Sequence, residues 1–437
     1  MTDIPQGAIN RSAKLAGLPI SAAGRVGLGL GQRLMGRTKD EVSAEMSRRT
    51  AEQVFEVLGT LKGGAMKFGQ ALSVFEAAMP DDAVAPYREA LTKLQNAAPP
   101  MDPAVVRRLM SEQLGTAWPT YFREFDDRAA AAASIGQVHK AIWRDGREVA
   151  VKLQYPGAAQ ALTADLNQLS RLGRLMQPLM PGLQYKPLLA ELRERVLDEI
   201  DYAAEAANQR VFAAAYADDP EIAIGKVVAS APQLIITEWV DGVGMAKIIA
   251  GGTREQRDTC GRIMAEFHFS APERARALHT DPHPGNFLLR SDGRLGIVDF
   301  GSVSKMPDGP LPIVGRLARL SIAGDADAVV AGLRAEGFIP PTLDPDPDVL
   351  MNYLIPYLEP LRHEVFHFTR EWMQQLWATM SDFSSPELKL ARRLNLPPNY
   401  LMIQRVTLGS IGVLSQLDAK APFRSIVERW QPGFAGD

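Results

Sequence analysis

The sequence predicts an α+β fold in two lobes, with a helical extension in front of them and a mostly helical C-lobe. Two strand patterns, at 148–153 and 234–239, flank a long stretch of helix-forming residues, which is the plan of a small mixed lobe. After 241–242 the pattern is largely helical to the C-terminus, apart from one short hairpin. A chain of 437 residues is long enough for two or three domains.

Changes in composition along the chain predict its domain boundaries. We expect a basic N-terminal leader at 1–45, a helical extension at 46–125, an N-lobe at 126–240 and a C-lobe at 241–437. The extension carries apolar residues at helical spacing and ends near a breaker with two prolines, at 99–100.

The composition is that of a folded protein that does not bind nucleic acid. The formal net charge is -3, with 46% hydrophobic and 23% charged residues. Because Cys260 is the single cysteine, the chain can form neither an internal disulfide nor a thiolate metal cluster. These features favour a reducing compartment, and we expect the cytoplasm.

The N-terminal leader has an unusual charge pattern. No acidic residue lies between Asp3 and Asp40, whereas lysines and arginines alternate there with leucine, isoleucine and valine. Such a segment suits an anionic membrane surface, but its glycines disfavour a helix, so a disordered basic leader is an equal alternative. With no apolar run of eighteen residues, we expect any membrane contact to be peripheral.

The first strand pattern carries a candidate catalytic lysine. Phosphoryl transfer needs a lysine on the phosphates, a carboxylate that holds it, a metal-binding aspartate and a group that orients the nucleophile. Alternation along Val149-Ala150-Val151-Lys152 buries the two valines on one face and leaves Ala150 and Lys152 on the other. Lys152 is therefore the candidate for the nucleotide phosphates.

Two loops in the C-lobe supply the remaining parts of a protein-kinase-like site. Asn286 follows Asp281 by five residues, which is the spacing of a kinase catalytic loop. We expect Asp281 to orient or deprotonate the nucleophile and Asn286 to offer its carbonyl oxygen to Mg²⁺. Thirteen residues later, after the hairpin, Asp299 begins an Asp-Phe-Gly sequence and is the second candidate metal ligand. The sequence thus predicts binding of ATP or ADP with Mg²⁺.

Three carboxylates could hold Lys152. Glu199, Asp201 and Glu205 lie in a segment that predicts a helix over 197–209. At about 100° per residue, Asp201 and Glu205 share one face, and Glu199 lies some ~240° away from Glu205. One helix thus offers carboxylates to two partners, and solvated surface charge is the alternative for each of them.

The chain resembles the UbiB family of atypical kinase-like proteins, which are associated with ubiquinone biosynthesis. The resemblance covers roughly residues 50 to 305 and includes the loops around Asp281 and Asp299. Its other motifs are Met66-Lys67-Phe68-Gly69-Gln70, Ala131-Ala132-Ala133-Ser134-Ile135-Gly136-Gln137-Val138-His139, Val151-Lys152-Leu153-Gln154-Tyr155-Pro156-Gly157 and Glu199-Ile200-Asp201-Tyr202.

This resemblance implies a kinase fold in which an Ala-rich segment replaces the usual Gly-rich loop. The implied nucleotide-binding residues there are Ala131, Ala132, Ala133, Ser134 and Gly136. Because alanine restricts positive φ, altered nucleotide affinity is expected.

The resemblance also implies a regulatory cover over the site. Lys67 and Gln70 belong to the cover, and Lys67 pairs with Glu199, which leaves Glu205 for Lys152. Asp201 is grouped with these regulatory residues. Such a cover would obstruct a peptide substrate.

The strand at 234–239 ends where we expect the hinge between the lobes. Glu238 and Val240, on either side of Trp239, are the candidates to meet adenine. Two histidines near the motifs, His139 and His283, could contact nucleotide or metal, but we expect structural hydrogen-bonding roles for both.

The preferred hypothesis is a Mg-dependent ATPase or small-molecule kinase that supports polyprenyl-quinone synthesis. No Ala-Pro-Glu follows Asp299, and the one copy, at 271–273, precedes the catalytic loop, so a protein substrate is not expected. The alternative is a nucleotide-gated module that handles lipid or scaffolds a biosynthetic complex with little turnover. Expected partners are the nucleotide, an anionic membrane surface, quinone-precursor lipids and quinone-biosynthesis enzymes.

A zinc-protease pattern is a third hypothesis. His363 and His367 flank a glutamate with the spacing of one helical turn, and Glu387 lies downstream as a further ligand. Because the phosphoryl-transfer residues already account for a site, we disfavour zinc catalysis.

Overall fold

The structure is a computed structural model that describes residues 100–133, 135–160, 163, 200–382 and 384–436. Its described residues fall into two compact units. The first contains the residues up to 202 together with 231–235, and the second contains 203–230 and the residues from 236 onwards. The expected leader and most of the expected extension lie outside the described residues.

Strands dominate the first part of the described chain and helices dominate the second, which confirms the predicted α+β class. The strands are β1 Phe122–Ala133, β2 Gly136–Trp143, β3 Glu148–Gln154, β4 Ile222–Ile224, β5 Val227–Ala231, β6 Leu234–Glu238, β7 Val243–Gly244, β8 Ala277–His279, β9 Phe287–Leu289, β10 Leu295–Ile297, β11 Val303–Lys305, β12 Phe366–His367 and β13 Lys420–Ala421. The helices are α1 Pro103–Leu114, α2 Tyr202–Ala215, α3 Met245–Gly251, α4 Arg254–Arg274, α5 Pro312–Ala323, α6 Ala326–Ala335, α7 Pro347–Leu358, α8 Arg370–Ser381, α9 Pro386–Ala391, α10 Pro398–Leu417 and α11 Phe423–Trp430.

An antiparallel sheet forms the body of the first unit. Strand β2 lies between β1 and β3, and the start of β6 lies beside β3. Val149, Val151 and Leu153 of β3 are completely buried, whereas Ala150 and Lys152 are half-buried on the opposite face. This alternation is the one that the sequence predicts, because side chains along a strand point to opposite faces of the sheet.

A buried polar chain ties the segment before α1 to this sheet. The Met101 amide donates to Gln137 Oε1, and Gln137 Nε2 lies 2.7 Å from His139 Nε2. His139 Nδ1 lies 2.8 Å from the Asp126 carbonyl. Burial lowers the pKa of His139, so the ring is neutral, donating from Nδ1 and accepting at Nε2. His139 thus has the structural role expected of it.

Helix α4 is the centre of the second unit. A capping box starts it: the Thr253 side chain accepts from the Gln256 amide, while the Gln256 side chain accepts from the Thr253 amide. Its buried residues include Cys260 and Phe267. Helices α10 and α11 and strand β8 pack against α4, so the strand that leads into the catalytic loop rests on the core.

Two small sheets position the loops of the second unit. One has the order β4-β10-β9-β7, with β9 and β10 forming the predicted hairpin. The other pairs β8 with β11, in a register that places His279 opposite Val303. The segments before Thr280 and after Phe300 are therefore held side by side.

The structure corrects two local expectations. The segment 363–367 is not helical: after a 3-10 turn at Glu359–Arg362 it bends and then forms the short strand β12. His363 Nε2 lies 2.9 Å from Glu359 Oε1 and His367 Nε2 lies 2.7 Å from Asp418 Oδ1, so both histidines face carboxylates of other segments. The one-turn spacing that zinc binding needs is not formed.

The second correction concerns the helix over 197–209, which is interrupted at Asp201: Ile200 is helical, Asp201 is not, and α2 begins at Tyr202. Residues 197–199 lie outside the described residues. Asp201 is exposed and lies outside α2, so it does not share a helical face with Glu205. The Ile200 carbonyl accepts from Gln154 Nε2 at 3.2 Å. Tyr202, which begins α2, is almost completely buried.

Candidate functional site

The catalytic-loop candidate starts at the end of β8 and is bonded to the segment after Asp299. The Thr280 amide donates to the Ser302 carbonyl at 3.0 Å, and the two hydroxyls lie 2.7 Å apart. His279 Nε2 donates to the Asp299 carbonyl at 2.8 Å. Two loops that are about twenty residues apart in sequence are thus joined directly beside Asp281.

Asn286 is held with its amide in a defined orientation. It is buried and ends a 3-10 turn, Pro284–Asn286, whose Gly285 amide donates to His283 Nδ1. Its Nδ2 donates to the Asp281 carbonyl at 3.1 Å. Because the nitrogen is used in this bond, the oxygen is the amide atom left to bind a cation. His283 therefore has the structural role expected of it.

The hairpin places Asn286 beside Asp299. Phe287 pairs with Ile297, and the Val298 amide donates to the Asn286 carbonyl at 2.9 Å. Asp299, the next residue, has φ +71°, a left-handed conformation that non-glycine residues rarely adopt. Its Oδ1 accepts from the Gly301 amide at 3.0 Å. The structure therefore brings together the two predicted metal ligands.

Glu205 lies beside the same loop. It is 4% exposed and sits in the first turn of α2, where the helix dipole favours a carboxylate. A β-carbon built on Gly301 would lie 3.3 Å from Asp299 Oδ1 and 3.8 Å from Glu205 Oε2. Asn208, one turn further along α2, donates from Nδ2 to the Phe300 carbonyl at 3.1 Å. The helix and the Asp-Phe-Gly segment are thus packed together within the second unit.

Lys152 lies in the first unit, where its Nζ is 5.1 Å from the centre of the Tyr202 ring. A lysine over an aromatic face at this distance makes a cation–π interaction, which stabilises the charged ammonium. Tyr202 immediately precedes the part of α2 that carries Glu205. The pairing of Lys152 with Glu205 stays a prediction.

The Ala-rich segment ends strand β1. Ala131, Ala132 and Ala133 pair with Val138, Gln137 and Gly136 of β2. A β-carbon on Gly136 would overlap the Leu153 carbonyl oxygen and lie 3.0 Å from the Tyr202 hydroxyl. The glycine is therefore required for close packing of β2 on β3, a reason that its motif alone does not reveal.

The hinge candidates pack on glycines of the second unit. The Lys226 amide donates to Glu238 Oε2 at 3.2 Å, and the Glu238 amide donates to the Lys226 carbonyl at 2.9 Å. Val240 packs against Gly225 and Gly296. Its Cγ2 would lie 3.3 Å from a β-carbon built on Gly225, and its Cγ1 would overlap a β-carbon built on Gly296. These two glycines set the position of Val240.

Several predicted residues cannot be placed. Lys67, Gln70, Ser134 and Glu199 lie outside the described residues, so the proposed cover and its pairing stay predictions.

Sequence reasoning missed several positioning residues. Asn208 and Ser302 each bond a backbone or side-chain group of a motif loop, and Gly409 of α10 packs against the catalytic loop. Of these, only Ser302 has a nearby motif that could have indicated it. The partners of the other two are far away in sequence.

The donor set suits a hard cation together with phosphates. An amide oxygen and a carboxylate on adjacent backbone segments match the few protein ligands with which Mg²⁺ is bound beside phosphate oxygens. Among the described residues, no three or more His, Cys, Asp or Glu side chains form a group that could hold a metal by themselves.

The described residues also bear on the membrane. None of their helices combines the length and the apolar character that crossing a bilayer requires.

The sequence matches a family model and several known proteins. The family model describes the ABC1 atypical kinase-like domain and matches residues 93–330. The chain is 31% identical over 281 residues to the mitochondrial atypical kinase COQ8 of Schizosaccharomyces pombe, which covers 62% of this chain and 44% of that protein. It is 28% identical over 418 residues to the chloroplast protein ACTIVITY OF BC1 COMPLEX KINASE 3 of Arabidopsis thaliana, which covers 92% of this chain and 54% of that protein. The chain thus spans about half the length of these relatives.

A solved structure is more similar in sequence. It is the complex of Rv3197 with erythromycin from Mycobacterium tuberculosis, with 48% identity and a TM-score of 0.71. The match covers 92% of this chain and 100% of that one.

Proposed function

Because the chain belongs to the UbiB family of ABC1 atypical kinase-like proteins, we propose that it binds Mg-ATP and transfers the γ-phosphoryl group to water or a small molecule. The observation that carries this proposal is the placement of Asn286 beside Asp299, with Glu205 next to the same loop. The expected role, which follows from the resemblance, is support of polyprenyl-quinone synthesis.

The described residues divide the chemistry among them. Asn286 and Asp299 would hold Mg²⁺, which when bound neutralises charge on the β- and γ-phosphates. Asp281, whose backbone carbonyl orients Asn286, would direct the nucleophile and accept its proton. Lys152 would bind the phosphates and Glu205 would hold the lysine.

A small acceptor is favoured over a protein. The Ala-Pro-Glu copy at 271–273 lies inside helix α4, ahead of the catalytic loop, and so lacks the position it has in protein kinases. The cover that the resemblance implies would further restrict access for a peptide.

Nucleotide-induced thermal shifts test the metal site. We expect ATP or ADP to raise the melting temperature further when Mg²⁺ is present, and Asp299→Asn to lose the Mg²⁺-dependent part because one metal ligand loses its charge. Asp344→Asn is the matched control, since the Asp344 side chain is 99% exposed and distant in sequence from every motif. An Asp299→Asn protein that keeps the full Mg²⁺-dependent shift would refute the metal assignment.

Turnover separates the enzyme from the alternative of a nucleotide-gated lipid-binding or scaffolding module. Steady ATP hydrolysis that phenolic quinone-precursor analogues or lipids stimulate supports the enzyme. Binding without turnover supports the module. The quinone content of cells that lack the protein, with and without rescue by Asp299→Asn, tests the biological role.

A macrolide is a second candidate ligand. We propose that this chain also binds erythromycin, on the support of its 48% identity to Rv3197 across the whole of that chain. Titration calorimetry with erythromycin tests it: the absence of measurable heat at millimolar ligand, in a protein that still binds nucleotide, would contradict the proposal.

A further inference from the structure

The segment that connects α9 with α10, residues 389–401, forms a corner on the surface of the second unit, which we name the α9–α10 corner. Its inner side is fixed to the segment after α6. The Asn395 amide donates to the Phe338 carbonyl at 2.8 Å, and Asn395 Nδ2 donates to the Gly337 carbonyl at 3.2 Å. The ring of Tyr400, which is buried, lies with its centre 4.6 Å from that of Phe338. The outer side chains are therefore carried by a backbone that is held in place.

Two leucines of the corner are exposed. Leu396 is 41% exposed and Leu401 is 42% exposed. Five residues of chain span at most about 18 Å, so both leucines lie within one small area of the surface. In the described part of the chain, the other large apolar side chains that are exposed are three valines in separate segments, Val211, Val243 and Val365. Exposed apolar side chains that occur singly need no explanation, but two leucines on one anchored corner indicate a contact surface.

The corner also carries positive charge. Between Glu387 and Asp418 the sequence has no acidic residue, whereas Lys389, Arg392 and Arg393 precede the two leucines. All three basic residues are exposed. An apolar surface edged by basic side chains is typical of segments that lie on anionic membranes.

The charge of the two arginines is available to an external anion. Among the residues that the structure describes, none forms an ion pair with Arg392 or Arg393. The carboxylate that contacts the corner from the inside, that of Glu336, accepts from the Tyr400 hydroxyl at 2.6 Å. It is thus engaged on the opposite side from the exposed leucines.

An anionic lipid bilayer is the partner that fits both features. Guanidinium groups bind phosphate oxygens through paired N–H donors, and leucine side chains enter the boundary between headgroups and acyl chains. An acidic protein would suit the arginines, but it would also need a recess shaped for the leucines. A bilayer receives apolar side chains at any point of its surface.

We propose that the α9–α10 corner docks on an anionic lipid bilayer, with its two exposed leucines at the acyl boundary and its two arginines on the lipid phosphates. Each basic side chain near an anionic surface adds to the binding, so the charges and the leucines act together. The corner is far from the basic N-terminal leader in sequence, and docking requires neither nucleotide nor phosphoryl transfer.

A fluorophore at position 401 tests the docking. Cys260 is completely buried, and burial raises the pKa of its thiol to about 12, so a thiol-reactive dye labels only a cysteine introduced at the surface. Leu401→Cys and the control Val365→Cys each carry the environment-sensitive dye NBD. We expect vesicles of phosphatidylglycerol and phosphatidylcholine in equal parts to raise NBD emission about 2-fold or more at position 401, because the dye leaves water, and not at position 365.

Each other outcome contradicts one part of the proposal. Unchanged emission at position 401 would overturn the docking surface, even if the chain floats with the vesicles through another segment. An equal rise with vesicles of phosphatidylcholine alone would overturn the role of the charge. A rise with polyglutamate but not with vesicles would replace the lipid by an acidic protein partner. Because no nucleotide is present, these outcomes are independent of the proposed function.

Two matched double substitutions measure the contribution of the arginines. Arg392→Gln with Arg393→Gln removes two adjacent exposed charges from the corner, and Arg107→Gln with Arg108→Gln removes two from α1, where each has a carboxylate partner. Each basic side chain near an anionic bilayer strengthens binding about 5-fold. The corner variant should therefore need about 10- to 30-fold more lipid for half of the emission change at position 401, and the α1 variant about the same as the parent. Equal lipid requirements of the two variants, in proteins that melt like the wild type, would overturn the assignment of the arginines.

Discussion

The contact between Gly409 and Pro282 is a place where one added methyl group tests how the catalytic loop is supported. In Gly409→Ala the new β-carbon would lie 2.5 Å from Pro282 Cγ, about 0.9 Å short of ordinary van der Waals contact. Pro282 follows Asp281, and its ring cannot swing away like a flexible side chain. Either α10 or the catalytic loop must therefore move.

The expected energies follow from this shortfall. Overpacking of a buried contact costs about 1–3 kcal/mol, and the better helix propensity of alanine offsets about 1 kcal/mol of it. The free energy of unfolding should thus fall by up to about 2 kcal/mol. Because a displacement of about 1 Å near a reacting group can cost about 100-fold, we expect the turnover of Mg-ATP to fall by about 10-fold or more.

Urea unfolding and steady-state ATP hydrolysis measure the two effects. Gly251→Ala is the control, since Gly251 ends helix α3 and nothing lies within 4 Å of its added β-carbon. It should keep full activity, with unfolding free energy equal or higher by up to about 1 kcal/mol. A Gly409→Ala protein with wild-type turnover and wild-type stability would refute the reasoning that this contact supports the loop.

Two further predictions concern stability. Burial lowers the pKa of His268 in the folded protein from 6.5 to about 3. As the pH falls below about 6.5, this histidine therefore takes up a proton in the unfolded chain but not in the folded one, and the free energy of unfolding decreases. Between pH 6.5 and 5.5 the wild type should lose about 1 kcal/mol more than His268→Leu in urea unfolding, and identical losses would contradict this origin. Gly136→Ala should lower the unfolding free energy by about 1–3 kcal/mol because its β-carbon overlaps the Leu153 carbonyl, and a melting temperature equal to that of Gly251→Ala would disprove that overlap.

Local patterns were sufficient for the strands and loops that carry the site. The alternation in β3, the hairpin of β9 and β10, and the spacing from Asp281 to Asn286 were all readable, because each depends on residues close together in the chain. The resemblance to the UbiB family rested on the same motifs, and the family match confirms it.

Local sequence patterns did not predict the backbone conformation of two segments that contact residues far away in the chain. The helix expected over 197–209 is interrupted at Asp201, next to the Ile200 carbonyl, which accepts from Gln154 of β3. The residues at 363–367 match the zinc-protease pattern. In the structure, however, His367 lies in β12, which pairs with β13, and its Nε2 lies 2.7 Å from Oδ1 of Asp418, far along the chain. The periodicity of a sequence segment cannot predict its contacts with residues elsewhere in the chain.

The sequence by itself determined which chemistry the chain can offer: the lysine, the two aspartates and the asparagine, in the order that phosphoryl transfer uses. Residue type and spacing suffice for that, since they decide donor atoms and turn geometry. Tertiary structure alone decided that Glu205 and Asn208 contact the Asp299 loop, that Gly409 rests on Pro282, and that His268 lines a pocket. Those facts depend on close packing between segments far apart in sequence, which no local pattern encodes.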